Sequence, residues 1–135
     1  MILIELYIMT KNKNSRFKKS KIAIIGANGG IGSAIIHKIF EIDSENEVIE
    51  IVRTRKHEKQ YQIDMLDEQS ISNCAEDIKN NYGYLDIIIN ATGGLGEIKN
   101  ILKVNLKKFK NTMDINFFFN LVLLQNLSKF IKNNK

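Results

Sequence analysis

Three of the four glycines in the stretch IIGANGGIGSAI are the residues of this 135-residue chain whose type and spacing could do chemistry. Glycine at a strand-to-helix turn lets the backbone approach a phosphate, and the N–H groups at the start of the helix then face the anion. Gly26 would permit the tight turn, Gly30 the approach of a pyrophosphate, and Gly32 close packing of the helix on the strand. The pattern predicts the phosphate-binding loop of a nucleotide site, with a turn that binds nothing as the alternative.

The flanking sequence predicts the strands and helices that such a loop needs. Apolar and β-branched runs predict strands at 21–25, 47–53, 61–65 and 84–90, and apolar residues at intervals of three and four predict helices from residue 30 to the DSEN stretch, over 67–80 and over 106–132. Such alternation is typical of an α/β fold with a parallel sheet. We therefore predict a Rossmann-type, doubly wound sheet in the strand order 3-2-1-4, truncated after the fourth strand and its following helix.

Length and composition indicate one soluble domain. The chain is 44% hydrophobic and 26% charged, and no apolar run reaches the ~20 residues of a transmembrane helix, so no membrane partner is expected. The formal charge of +5 comes from scattered lysines without an aromatic stacking platform, so we expect no nucleic-acid partner. The single Cys74 permits no internal disulfide and favours a reduced, cytoplasmic setting. We expect a flexible leader at 1–20, with an extra terminal strand as the alternative and Met9 as an alternative start, and a partial nucleotide-binding domain at 21–135.

The spacing G-x-x-x-G-x-G at residues 26–32 resembles the cofactor loop T-G-x-x-x-G-I-G of the short-chain dehydrogenase/reductase family, with Ile25 in place of the threonine. Three later stretches are similar to the same family in order and spacing: QIDMLDEQSI, LDIIINATGG and MDINFFFNLVLLQ. The resemblance covers residues 21–130, the N-terminal part of the family's domain. The short interval between the second strand and Asp64, with no room for a full helix, resembles a compact branch of the family, the C-factor proteins.

The resemblance implies contacts with an NAD(P) cofactor at the matching positions. Asp64 would bond the adenine amino group and Met65 would cover the ring; the alternative for Asp64 is to cap a turn. Asn90 would stabilise the sheet, and the backbone of residues 91–93 would lie against the adenosine ribose. The implied cofactor-binding residues are Gly26, Asn28, Gly29, Gly30, Ile31, Gly32, Arg53, Arg55, Asp64, Met65, Asn90, Ala91 and Gly93.

Asn116 falls at the position of the family's tetrad asparagine, which organises a proton-relay water, and it is the one catalytic candidate. Its alternative role is to satisfy a helix backbone. The family's other catalytic residues are a Ser after the fifth strand and a Tyr-x-x-x-Lys pair one helix later. The fifth strand would begin at Lys135, where the sequence ends, so we expect this chain to lack that segment. His37 and His57 have no Cys or carboxylate cluster at ligand spacing, and no metal site is predicted.

Charge after the second strand bears on the choice of cofactor. An acidic side chain there would bind the ribose hydroxyls and repel a 2′-phosphate, whereas arginine would attract the phosphate. The stretch IEIVRTRK supplies Arg53, Arg55 and Lys56, which favours NADP, with NAD as the alternative. Glu50 comes too early for the acidic role when Arg53 is aligned with the family's basic residue.

Two functions are consistent with these features. The resemblance implies a truncated NAD(P)-dependent oxidoreductase that binds the adenosine-pyrophosphate half of the cofactor, with little or no catalysis by this chain alone. The alternative is a noncatalytic structural or regulatory module that pairs with a full-length relative, or with its own copy, through the 106–132 helix.

Overall fold

The computed structural model of the chain describes residues 17–132. Residues 1–16, which make up most of the expected leader and include Met9, lie outside that range, as do residues 133–135. Within it the order is β1 (Lys21–Ile25), α1 (Gly30–Ile42), β2 (Glu47–Val52), β3 (Tyr61–Gln62), α2 (Glu68–Tyr82), β4 (Ile87–Asn90), α3 (Leu106–Met113) and α4 (Phe119–Leu127). Short 3-10 helices lie at Ile101–Lys103 and Ser128–Phe130, and a π-helical segment, Asp114–Phe118, joins α3 to α4. None of the helices within 17–132 combines the length and apolar character that a bilayer crossing demands.

The strands form one parallel sheet in the order β3-β2-β1-β4, as the sequence predicts. β1 lies between β2 and β4, and its last residue, Ile25, pairs with Ile51 of β2 and with Asn90 of β4. The carboxyl ends of these three strands therefore lie side by side. Open α/β sheets bind their ligands at this edge.

β1 sends alternate side chains into two apolar layers, because successive residues of a strand face opposite sides of the sheet. On one side, Ile22 and Ile24 join Ile39 of α1 and Phe17, which precedes the strand. The other layer is built from Ala23 and Ile25 of β1 together with buried residues of α2 and α4, namely Ile71, Cys74, Ala75, Ile78, Leu123 and Leu127. Helices thus cover both faces of the sheet.

Burial decides the chemistry of the one cysteine. Cys74 lies in the layer formed by α2 and is 5% exposed. Burial raises the pKa of its thiol to about 12. The side chain is therefore an apolar packing group and not a nucleophile.

Two strands are shorter than predicted, because strand length depends on the neighbouring strand. The sequence predicts the third strand over 61–65, but only Tyr61 and Gln62 pair with β2, which ends at Val52. The last bond between them runs from the N–H of Ile63 to the carbonyl oxygen of Val52 at 2.9 Å. β4 begins at Ile87, where its pairing with β1 starts, and not at residue 84. The connection from β2 to β3 contains no helix, which confirms the short interval expected there.

The helix predicted over 106–132 does not form as one element. The π-helical segment separates α3 from α4, and the helical region ends with the short 3-10 helix after α4. Ile131 then pairs in parallel with Leu85, which donates its N–H to the carbonyl oxygen of Phe130 at 2.8 Å. Lys132 donates its N–H to the carbonyl oxygen of Leu85 at 2.8 Å. By residue 131 the chain is therefore no longer helical, and it pairs with Leu85, which precedes β4 in the sequence.

Replacing Ile51 with alanine should destabilise the fold by about 2–5 kcal/mol, because its fully buried side chain would leave a cavity between the sheet and the α2 layer. Ile98→Ala is the matched control, since that side chain is 83% exposed and its loss should change stability by about 0.5 kcal/mol or less. Urea unfolding followed by circular dichroism measures both values. Equal unfolding midpoints for the two variants would contradict the position of Ile51 in the core.

Candidate nucleotide-binding site

The turn after β1 depends on Gly26, which lies in the left-handed region with φ at +83°. Its N–H donates to the carbonyl oxygen of Ile51 at 2.8 Å, which fixes the turn to the end of β2. A Cβ atom at Gly26 would meet the carbonyl oxygen of Ala91 at 2.9 Å, so the turn passes the residue after β4 at a distance that only glycine permits. The ends of β1, β2 and β4 therefore meet at this glycine.

The start of α1 is closely packed at Gly32 and open at Gly30. A Cβ atom at Gly32 would collide with the carbonyl group of Gly26, whereas one at Gly30 would meet no atom of the described residues within 4 Å. Gly29 caps the helix without a side-chain hydrogen bond, and the first turn carries no acidic residue. Ile31 begins the run of apolar residues whose spacing of three and four predicts α1, yet its side chain is 58% exposed beside this opening. The first N–H groups of the helix are thus available as donors to an anion.

A cleft of about 440 Å³ lies between the glycine loop (residues 26–32), α1 and the segment after β2 (residues 53–60). Phe40 contributes an apolar wall, and Glu50, Lys56 and His57 contribute charged or ionisable groups. The Glu50 carboxylate accepts a hydrogen bond from Gln60 at 2.6 Å and lies 3.7 Å from Nε2 of His57. By sequence alignment Glu50 is too early for a role at the cofactor, yet the structure places it in the wall of this cleft.

The basic residues after β2 do not all reach this cleft. Lys56 lines it, whereas Arg55 lines a second cleft of about 340 Å³ together with Asp77 and Tyr82. Arg53 is exposed directly after β2. One of the three predicted basic residues therefore lies in the wall beside the glycine loop.

The side-chain amide of Asn28, a predicted cofactor contact, is held by the protein itself. Its Nδ2 donates to the carbonyl oxygen of Thr54 at 2.9 Å, and its Oδ1 accepts from Nε2 of Gln60 at 2.9 Å. Both partners follow β2, far from Asn28 in sequence, so the spacing of the glycine motif carries no signal for them. Asn28 therefore fixes the glycine loop to the segment after β2.

Asp64 closes a turn ahead of α2. Its carboxylate accepts from the N–H of Leu66 at 2.9 Å, and its own N–H donates to the hydroxyl of Ser70 at 3.0 Å. These contacts correspond to the turn-capping alternative for Asp64, whose side chain remains exposed. Met65 is half-buried and packs against the layer formed by α2. Neither residue lines the cleft between the glycine loop and α1.

Asn90, at the end of β4, begins an amide network that the sequence motifs do not predict. Its Oδ1 accepts from the N–H and the hydroxyl of Thr92 at 3.0 and 2.7 Å, and its Nδ2 donates to Oδ1 of Asn120 at 2.8 Å. Nδ2 of Asn120 donates in turn to the backbone oxygen of Asn116 at 2.8 Å. The one signal for Asn120 in the sequence is its spacing of four from Asn116, which places both on one helix face.

Asn116 lies in the π-helical segment between α3 and α4, and its side chain reaches back to the loop after β4. Its Nδ2 donates to the carbonyl oxygen of Gly94 at 2.7 Å, and its Oδ1 accepts from the N–H of Gly94 at 2.8 Å. A Cβ atom at Gly93 would lie 3.5 Å from that Oδ1. π-Helical turns within helices occur frequently at functional sites. The bonds of Asn116 to Gly94 and its proximity to Gly93 bring it to the carboxyl end of β4, where Asn90 also lies.

The spacing Tyr-x-x-x-Lys occurs once in the chain, at Tyr7 and Lys11. This pair precedes the glycine loop and lies outside the described residues, so it does not occupy the position that the resemblance implies, after a fifth strand. Within residues 17–132, no three His, Cys, Asp or Glu side chains gather closely enough to hold a metal ion. Asn116 is therefore the one residue of the expected catalytic set that the described range contains.

Comparison with known proteins decides the family. The family model for short chain dehydrogenases matches residues 20–135. The chain belongs to the short-chain dehydrogenase family. A curated relative, the (S)-benzoin-forming benzil reductase of Saccharomyces cerevisiae, is 28% identical over 113 residues, which cover 72% of this chain and 43% of that protein. The chain thus spans less than half the length of this relative.

Two solved structures show the same fold as this chain. The NADPH-bound carbonyl reductase from chicken fatty liver has a TM-score of 0.74 at 19% identity, covering 82% of this chain and 48% of that chain. An NAD⁺-bound xylitol dehydrogenase has a TM-score of 0.76 at 18% identity, covering 85% of this chain and 48% of that chain. This chain therefore spans about half the length of each.

In this member of the family, Glu97 ties the loop after β4 to the start of α3. Its carboxylate accepts from Nζ of Lys108 at 2.9 Å, from Nζ of Lys99 at 3.1 Å and from the N–H of Asn105 at 3.1 Å. The Lys108 hydrogen bond, followed by those of Asn105 and Lys99, holds the pKa of Glu97 down at about 2, against an ordinary value of 4.5. These bonds position the segment that leads to Asn116.

Acid should release these bonds. Because the pKa of Glu97 is lower in the folded chain than in the unfolded one, its contribution is present above pH 4.5 and is lost as the pH falls to about 2. An NMR titration of the Glu97 carboxyl group should give a midpoint near pH 2, and Lys108→Ala should raise it towards 4.5. Lys107→Ala, which removes a neighbouring lysine outside these bonds, should leave the midpoint unchanged. A wild-type midpoint near 4.5 would show that the bonds do not form in solution.

Proposed function

We propose that this chain binds the adenosine-pyrophosphate half of NADP(H), and more weakly that of NAD(H), with little or no oxidoreduction by itself. The observation that supports binding most is the open position at Gly30, on a helix start without a side-chain cap. A helix N-terminus stabilises an anion through its N–H groups and its dipole, and this one follows β1 at the edge where open α/β sheets bind ligands. A pyrophosphate provides the negative charge that such a site favours.

The glycine loop gives the proposed pyrophosphate site its shape. Gly26 and Gly32 allow α1 to start directly on the turn, because side chains at either position would meet backbone atoms. Gly29 and Gly30 are exposed and add no bulk above the first N–H groups of the helix. The exposed side chain of Ile31 supplies an apolar contact beside them. The loop thus combines N–H donors, room for a pyrophosphate and the apolar side chain of Ile31.

The strand ends supply the contacts proposed for the adenosine. Ala91 and Gly93 offer backbone next to the glycine turn, and Asn90 fixes the course of this segment through Thr92. The exposed carboxylate of Asp64 is the proposed partner of the adenine amino group, with Met65 beside it. These roles carry the family's positions over to this chain.

Positive charge supports NADP over NAD in this proposal. Lys56 lines the cleft beside the glycine loop, and Arg53 and Arg55 lie on the surface nearby in sequence. A 2′-phosphate would gain charge-assisted hydrogen bonds from such side chains. Glu50 opposes this preference, but its carboxylate already accepts a hydrogen bond from Gln60. Both NADPH and NAD⁺ occur in structures of this fold, so the fold itself does not select between them.

The proposed lack of catalysis follows from the residues that the chain does supply. A bound nicotinamide cofactor would exchange a hydride with a substrate. An asparagine amide such as that of Asn116 can orient a water molecule or a loop, but it has no proton to release near neutral pH. Proton transfer needs a positioned acid or base, which the family takes from its Tyr-x-x-x-Lys segment.

The proposed setting is the cytoplasm. The chain contains one cysteine, Cys74, and it is a buried free thiol. Reduced thiols without disulfides are the rule in that compartment.

NADPH titration of the purified chain, followed by the cofactor's own fluorescence, should show saturable binding with a Kd below about 1 mM, the upper end of the usual range for enzyme substrates. NADH should bind more weakly. Gly30→Ala should weaken both by about tenfold or more, because the methyl group takes space proposed for the pyrophosphate. The same variant should fold at least as stably as wild type, because alanine favours a helix by up to about 1 kcal/mol over glycine.

Gly32→Ala is the contrasting variant. Its methyl group would collide with the Gly26 carbonyl group, so it should lower the unfolding midpoint of the chain itself. Absence of saturable binding by wild type at millimolar NADPH would refute the binding proposal. Robust carbonyl reduction by this chain alone would refute the proposed inactivity.

A pairing module is the second candidate, and a row of exposed apolar side chains supports it. The row comprises Phe109, Met113, Phe117, Leu121 and Leu124, each between 40% and 58% exposed. Contiguous apolar surface of this kind marks a protein interaction site more often than a solvated face. Since α3, the π-helical segment and α4 all contribute, the pairing surface is not the single straight helix that the sequence suggested.

Phe117→Asp should convert a paired form into a monomer, because it places a charge in the centre of the apolar row. Light scattering after size exclusion, with and without NADPH, measures the mass. Asn111→Asp is the control and should leave the mass unchanged, because Asn111 is exposed on α3 and lies two residues from both Phe109 and Met113, away from the apolar row. A wild-type chain that stays monomeric at the highest attainable concentration would exclude pairing with its own copy.

A further inference from the structure

Gln60 is a buried polar residue in a segment that is otherwise exposed. Its side chain is 3% exposed, whereas residues 53–59 are all exposed. Its Nε2 donates to Oε2 of Glu50 at 2.6 Å and to Oδ1 of Asn28 at 2.9 Å. Its Oε1 accepts from the N–H of Lys56 at 2.8 Å and from Nδ2 of Asn28 at 3.4 Å. One amide thus joins the glycine loop, β2 and the basic segment after β2 (residues 53–56).

Each partner of Gln60 belongs to the wall of the cleft beside the glycine loop. Asn28, Glu50 and Lys56 all line it together with Gln60 itself. Asn28 makes a further bond to the carbonyl oxygen of Thr54, so the glycine loop and the basic segment are joined twice. In a part-buried hydrogen-bond network, removing one member takes a partner from each group that it bonded. A change at Gln60 would therefore alter both walls at once.

We propose that Gln60 is a positioning residue that sets the preference for a 2′-phosphate, an inference that rests on the proposed function. Its Nε2–H holds the Glu50 carboxylate against the protein, so that less of its negative charge faces a phosphate in the cleft. Its Oε1 holds the backbone at Lys56, which keeps the lysine in the wall. Without Gln60, Glu50 retains Nε2 of His57 as a neighbour at 3.7 Å but is no longer held away from a 2′-phosphate, which it would repel. Lys56 is then free to leave the wall. NADH, which has no 2′-phosphate, is affected less.

Gln60→Ala tests this proposal, with Gln62→Ala as the matched control, because Gln62 lies two residues further along the chain and is exposed. In Gln60→Ala the Kd for NADPH should rise about tenfold or more, while that for NADH rises about threefold or less. Amide exchange of the cofactor-free chain should quicken over residues 26–33 and 53–57 and stay unchanged in α2. Gln62→Ala should match wild type in all these measurements.

A second variant separates repulsion by Glu50 from general disruption. Glu50→Gln keeps the shape of the side chain and removes its charge, so Glu50→Gln combined with Gln60→Ala should restore most of the wild-type ratio of the two Kd values. A merely structural role for Gln60 would not be rescued in this way. If Gln60→Ala fails to fold, Glu50→Gln alone should tighten NADPH binding several-fold without changing NADH, and an unchanged ratio would overturn the proposal.

The outcomes distinguish this inference from the function on which it rests. If wild type binds both cofactors, but Gln60→Ala keeps both the wild-type ratio and the wild-type exchange rates, then the role of Gln60 is refuted and cofactor binding stands. Equal weakening of both cofactors, without rescue by Glu50→Gln, also refutes it. If wild type binds neither cofactor, both proposals fail, and the exchange rates then report only on the hydrogen bonds of Gln60.

Discussion

The close approach of Gly32 to the carbonyl group of Gly26 is the contact on which the rest of the site depends. It allows α1 to begin directly on the turn after β1, while Gly26 allows that turn to pass Ala91. Side chains at these positions would meet backbone atoms, which cannot rotate aside as side chains do. The start of α1 and the ends of β1, β2 and β4 therefore meet at one place, because Gly26 and Gly32 carry no side chains there.

Two amide networks hold the segments on either side of that contact. Towards β2, Gln60 and Asn28 join the glycine loop to the basic segment. Towards β4, Asn90 and Asn120 join the strand end to the backbone of Asn116. Amides suit these positions because one side chain can donate and accept at once, so it can connect two backbone segments without introducing a charge. The ionisable side chains Glu50 and Lys56 instead line the walls of the cleft.

Sequence predicts the parts of this structure that depend on local spacing. Strand order and the glycine loop follow from alternating apolar runs and from glycines within seven residues of one another. The contacts of Gln60 are different, because its partners come from three separate segments and its own segment has no strand or helix pattern. The break between α3 and α4 has no proline or glycine to mark it. Ile31 shows the limit of periodicity, which cannot distinguish a side chain that faces the core from one that faces ligand space.

The bond pattern at Leu85 explains how the helical region after β4 is held over the sheet. Leu85 directs its N–H and carbonyl group to the chain around Ile131, whereas the next residue, Asp86, donates its N–H to Lys21 of β1. Successive residues of a strand bond to opposite neighbours, so Ile131 lies on the side of β4 away from β1. The helical region between β4 and Ile131 is thereby anchored at both ends. Leu123 and Leu127 of α4 are buried in the apolar layer that also contains Ala23 and Ile25 of β1. This anchoring places Asn116 over the strand ends, where its side chain reaches the loop after β4.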